Sequence, residues 1–95
     1  MMTSKQRAFL RKTANPLDPV VYVGKEGLTD IIVKETELVL EKRELIKVQV
    51  QQGCDDSARE VAEAMAKSLR AEVVAVLGKR LVLYRKAREN SRNLI

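Results

Sequence analysis

Apolar positions along the chain change their period several times, and each change marks an element. Phe9, Leu10 and Thr13 recur at helical spacing behind Thr3, which with Gln6 three residues on has the form of a capping box. A helix over about residues 4–14 is predicted. "ANPLDP" ends it, because the residue before a proline avoids the helical region and Pro16 and Pro19 punctuate twice. Val20 to Val23 is a short β-branched run and predicts a strand. Leu28, Ile31, Ile32, Val39 and Leu40 then favour a long helix over roughly 29–43, with Thr29 as its N-cap.

The period next falls to two. Ile46, Val48 and Val50 alternate with Lys47, Gln49 and Gln51, the pattern of a strand with one wet face. "GCDDSARE" is a turn leading into a cap, supplied by Ser57 with Glu60 or by Asp55 and Asp56. Ala58, Val61, Ala62, Met65, Ala66 and Leu69 form the stripe of a third helix, with Met65 as core filler. "AEVVAVLGKRLVLYR" is two apolar runs around Gly78-Lys79, a two-residue hairpin connection. The predicted order is α-β-α-β-α-β-β. Strand–helix–strand crossovers are right-handed, so two of them stepping in one direction put both helices on one face. The expectation is an α/β two-layer sandwich with a four-stranded mixed sheet. It forms a single domain over 1–86, followed by a basic flexible tail over 87–95.

Composition narrows the function. At 95 residues, 45% hydrophobic and 33% charged, the chain is expected to be a soluble cytoplasmic domain. It has no apolar run of membrane-spanning length, and its N-terminus lacks a signal peptide and reads as mature structure. There is no histidine, and Cys54 is the single cysteine, which argues against disulfide scaffolds and the usual zinc clusters. Cys54 reads as a small residue near a turn. No acid pair is framed by special loops, so neither an enzyme nor a cofactor is predicted.

The net charge of +5 is unevenly spread. Lys5, Arg7, Arg11 and Lys12 stand without an acid in the first helix, and Lys79, Arg80, Arg85, Lys86, Arg88 and Arg92 crowd the other end. Residues 28–44 reverse the sign, with Asp30, Glu35, Glu37, Glu41 and Glu44. If folding joins the two basic ends, they form the electrostatic footprint of a nucleic-acid binder. A solvated surface on a basic protein explains the same charges.

The motif with chemical content is Gly24-Lys25-Glu26-Gly27, between the first strand and the second helix. A strand-to-helix loop of this kind offers unpaired amides and a partial positive charge to an anion, and glycine lets a phosphate approach the backbone. The spacing of a Walker loop and the third glycine of a dinucleotide fingerprint are both missing. G-x-x-G is also what KH-type modules use to clamp single-stranded RNA, although a tight turn could need two glycines for geometry alone. Glu26 would repel a phosphate unless Lys25 outweighs it or the carboxylate points away.

"LRKTANPLDPVVYVGKEGLTD", "LEKRELIKVQV" and "VLGKRLVLYR", in that order, resemble the CRM domain (chloroplast RNA splicing and ribosome maturation), above all its stand-alone bacterial YhbY type. The likeness runs from about residue 3 to 86. It implies an RNA-binding domain associated with precursors of the large ribosomal subunit, and a fold similar to the C-terminal domain of the third bacterial translation initiation factor. It also implies that Gly24, Lys25, Glu26 and Gly27 form the RNA loop and that Lys5, Arg7, Arg11 and Lys12 form the basic first helix. Splicing members carry extra domains or several copies, so a single copy points to ribosome maturation.

Two functions of different class follow. The first is a non-catalytic, monomeric RNA-binding protein of ribosome assembly, with ribosomal RNA as partner and no membrane. Its RNA contacts would come from the 24–27 loop, Thr29 and the start of the second helix, extended by the first helix and Lys79-Arg80. With Phe9, Tyr22 and Tyr84 assigned to the core, shape rather than base identity would be recognised. The second is a protein-interaction module that docks on a ribosomal or translation protein through its acidic second helix.

Overall fold

Local signals set the helix boundaries. A computed structural model describes residues 2–95. Helix α1 spans Ser4–Ala14, and its cap is reciprocal: the Gln6 amide donates to the Thr3 hydroxyl at 3.0 Å and the Thr3 amide to the Gln6 carbonyl at 2.9 Å. Strand β1 is Val21–Val23. Helix α2 is Asp30–Arg43, with Thr29 accepting from the Ile32 amide at 3.2 Å. Strand β2, Leu45–Val50, follows after one residue, Glu44. Helix α3, Ala58–Leu69, is capped by the Ser57–Glu60 pair, which decides between the two caps the sequence offered. Strands β3, Glu72–Leu77, and β4, Arg80–Tyr84, form the hairpin, and Gly78 takes φ 61° in its two-residue turn.

The sheet runs β1-β2-β4-β3, with β1 parallel to β2 and both β4 pairings antiparallel. Strand β4 fills the gap between β2 and β3, so both crossovers step the same way and α2 and α3 share a face, as right-handedness requires. On that face Val21, Val23, Ile46, Val48, Val50, Leu81 and Leu83 pack against Leu40 of α2 and Val61, Ala62, Met65 and Leu69 of α3. The α/β architecture with a four-stranded mixed sheet and three helices is therefore the one expected.

The expected two layers are corrected by α1, which adds a partial third layer. It lies on the opposite face, where Leu10 and Ala14 close a smaller cluster with Leu45, Val74, Val82 and Tyr84. A register shift between Val73 and Ala75 bulges β3 and turns Val74 toward α1. The Arg7 guanidinium donates to the carbonyls of Val73 and Val74, giving partners to backbone acceptors on this edge strand. Helix α1 covers only the part of the sheet nearest the start of β2, and the rest of that face stays open.

The segment after β4 differs from the free tail expected over 87–95. Glu44 is fully buried and accepts from the Ala87 amide at 2.6 Å, the Ser91 hydroxyl at 2.7 Å and the Arg92 amide at 2.7 Å. Glu41 accepts from the Arg88 and Glu89 amides at 3.0 and 3.2 Å. The carboxylates of Glu41, on α2, and of Glu44, just after it, thus hold a segment without regular structure, which composition alone described as polar and loose.

Candidate nucleic-acid interface

Parallel pairing brings the ends of β1 and β2 together, and the hairpin tip joins them. The Gln51 amide donates to the Val23 carbonyl at 2.8 Å and the Val50 amide to the Lys79 carbonyl at 2.7 Å. The 24–27 loop, the 51–56 turn and the 78–79 tip therefore share one end of the sheet.

The loop is a tight turn in which the Gly27 amide donates to the Gly24 carbonyl at 2.9 Å. Its two glycines differ. Gly27 has φ 74°, which a side chain would strain. Gly24 needs no such conformation. A Cβ there would meet only the end of the flexible Gln51 side chain, at 2.8 Å from Oε1. Geometry thus requires one glycine, while at the other the Gln51 side chain comes close to the backbone.

Lys25 and Glu26 are both exposed, and among the described residues neither forms an ion pair. The Asp56 carboxylate lies beside Gly27, 3.6 Å from where a Cβ would stand, and Asp30 opens α2. The Gly27 side of the loop is therefore acidic, and Thr29 already occupies one helix amide. An anion would meet less repulsion at Gly24 and Lys25.

The cations of α1 do not act as one group. The Arg7 guanidinium donates through Nη1 to the β3 carbonyls of Val73 and Val74, away from the 24–27 loop. Lys5 lies near Phe9, Leu94 and Ile95, away from the loop. Lys12 is exposed. Arg11 lines a groove of about 380 Å³ with Lys47 and Arg80, over the small apolar floor of Ala75 and Val82. The groove has no carboxylate among its described lining residues. The two basic ends of the sequence do meet here, through Arg11 and Arg80. Arg85 does not contribute, because it pairs with Glu37 and Glu41.

The site residues expected from sequence omit four on this face, Tyr22, Gln49, Leu77 and Lys47. Tyr22, Gln49, Arg80 and Leu77 are register partners across β1, β2, β4 and β3 and form one row on the side away from α2 and α3. Lys47 stands one row below. Tyr22 is 52% exposed and Phe9 is 50% exposed, so only Tyr84 of the three aromatics is in the core. The assignment of Phe9 and Tyr22 to the core is corrected. The signal was present in "VYV": Val21 and Val23 face the core, so Tyr22 must face away.

The acidic face of α2 is largely occupied within the chain. Glu37 and Glu41 pair with Arg85, and Glu44 is buried. Amides of Arg88 and Glu89 hold the Glu41 carboxyl below its usual pKa. Burial pushes Glu44 up, but the Ala87 amide, the Ser91 hydroxyl and the Arg92 amide outweigh it, and its pKa also lies below the usual value.

Known proteins are similar to this chain in sequence and fold. Residues 2–85 match the CRS1 / YhbY (CRM) domain. The chain is 44% identical over 90 residues to the "Probable RNA-binding protein YqeI" of Bacillus subtilis, covering 95% of this chain and 94% of that one. It is 36% identical over 88 residues to an "RNA-binding protein" of Haemophilus influenzae, covering 93% and 89%. The solution structure of a hypothetical protein from Staphylococcus aureus superposes with a TM-score of 0.81 at 41% identity, over 96% of this chain and 95% of that one.

Proposed function

The chain belongs to the CRS1 / YhbY (CRM) domain family, and on that premise we propose that it is a non-catalytic RNA-binding protein acting in ribosome assembly. Its partner in this reading is ribosomal RNA of the large-subunit precursor, bound by a monomer in the cytoplasm. The observation that carries the reading is the meeting of Arg11, Lys47 and Arg80, from three separate segments, in one groove without a carboxylate among its described lining residues. Lys79 stands at the hairpin tip, at the same end of the sheet as Lys25 and the 24–27 loop. A phosphate would take backbone amides of the loop near Gly24 and charge from Lys25. Affinity would come mostly from phosphate contact and counterion release.

Arg11 and Lys25 are exposed, so replacing both with alanine leaves the fold intact. The double variant should bind a large-subunit precursor RNA more weakly at low salt. Equal affinity would remove the site. Crosslinking in cells followed by sequencing of the bound RNA tests the assembly role separately. Recovery of ribosomal RNA is expected, and its absence would leave RNA binding but remove the ribosome.

The protein-docking reading has less to rest on, because three of the five acids that motivated it are engaged within the chain. Retention on ribosomal particles after digestion of their RNA would restore it.

A further inference from the structure

We infer that the uncovered half of the sheet holds unpaired nucleotides of an RNA strand, with a base stacked on the Tyr22 ring and phosphates on Arg11, Lys47 and Arg80. The inference rests on the RNA-binding reading and narrows it to single-stranded or looped segments. Tyr22 and Leu77 end the row at opposite edges of the sheet, 52% and 82% exposed, with Gln49 and Arg80 between them. A large apolar or aromatic side chain at the rim of a basic surface gains nothing from phosphates. It gains from the face of a base.

The cations around the row are positioned by the fold. Arg80 Nε donates to Gln49 Oε1 at 2.8 Å, which lays the guanidinium against the sheet and leaves its terminal nitrogens for a ligand. Lys47 Nζ donates to the Asn15 carbonyl at 3.2 Å, at the exit of α1. Arg11 stands on the last turn of α1 at the same groove. The ligand must therefore be polyanionic and must also carry exposed flat apolar faces. Unpaired RNA meets both conditions. A duplex meets only the first, because its bases are turned inward.

The register row links the groove, which Arg80 and Leu77 line, to Tyr22 beside the loop. Tyr22 precedes Gly24 by two residues, and Arg80 follows the hairpin tip. A strand held by its phosphate at Gly24 and Lys25 can thus lay its next bases on the row.

The test compares a short mixed-sequence single-stranded RNA with the same strand annealed to its complement. Wild-type protein, Tyr22→Ala and Tyr22→Phe are titrated against each by fluorescence anisotropy. The wild type should prefer the single strand. Tyr22→Ala should weaken single-strand binding by about 5- to 150-fold, the worth of one base–aromatic stack, and leave duplex binding unchanged. Tyr22→Phe keeps the ring and should bind as the wild type does. Tyr22 is exposed, and an unchanged thermal melt of both variants checks that folding is untouched. Equal binding of wild type and Tyr22→Ala to the single strand would overturn the inference and leave RNA binding standing. Failure of the wild type to bind either RNA would overturn both.

Discussion

Glu44 links α2 to β2 alone, and the reversal it makes requires φ 65°, a conformation in which glycine is the easier residue. Its side chain explains why glutamate stands there, since three donors from the last segment converge on the carboxylate. Glu44→Ala should cost about 2–3 kcal/mol, because it leaves those buried donors without their charged acceptor. Urea denaturation reads the loss. The effect should depend on pH with a definite sign. The folded-state pKa lies below the ordinary 4.5, so the stabilisation is complete above that value and disappears as pH falls through the lower folded value. The gap between wild type and Glu44→Gln should accordingly be widest near neutrality and close on acidification below about pH 4.5. The loop glycines separate in the same assay. Gly27→Ala should lose about 1–2 kcal/mol to backbone strain, whereas Gly24→Ala should cost little, since Gln51 can swing aside. Neither difference was readable in "GKEG", where both glycines look alike. Positive φ at Glu44 was equally hidden, because a glutamate between a helix and a strand carries no turn signal.

At the level of elements, the caps and periods did most of the work. Thr3–Gln6, Thr29 and Ser57–Glu60 start the helices where the sequence places them, and the alternation of residues 46–51 identifies the wet face of β2. The position of α1 was not readable. Its apolar residues are few, and which face of a sheet takes a leading helix is decided by contacts far along the chain, with Val74, Val82 and Tyr84. The bulge that delivers Val74 has no local signature in "EVVAVL". Helix α1 is consequently held by a smaller cluster than α2 and α3. Leu10 is its fully buried anchor, and Leu10→Ala should cost about 2–5 kcal/mol in a denaturant titration. Hydrogen exchange should show the amides of α1 opening before those of α3 in the wild type. Equal protection would mean that the two clusters unfold as one.

For the whole molecule, the fold sorts the charges that the sequence only counts. Of the cations at the two chain ends, Arg7 and Arg85 are drawn into structural contacts, while Arg11 and Arg80 meet Lys47 beside the open sheet. Lys47 sits in a strand whose neighbours gave no hint of function, and it enters the groove only through the β2–β4 register. Glu26 remains exposed beside Lys25. In the proposed reading the RNA is held by phosphate contacts spread over this surface, so salt dependence is the property that follows most closely from the arrangement. The decisive measurement is the affinity of the wild type and of Lys25→Ala/Arg11→Ala for a large-subunit precursor RNA fragment across a range of salt. The wild type should show log affinity falling linearly with log salt. The double variant should bind more weakly at low salt, with a slope shallower by about 1.4 if both contacts are to single-stranded phosphates. Identical affinity and slope in the two proteins would contradict the proposed interface.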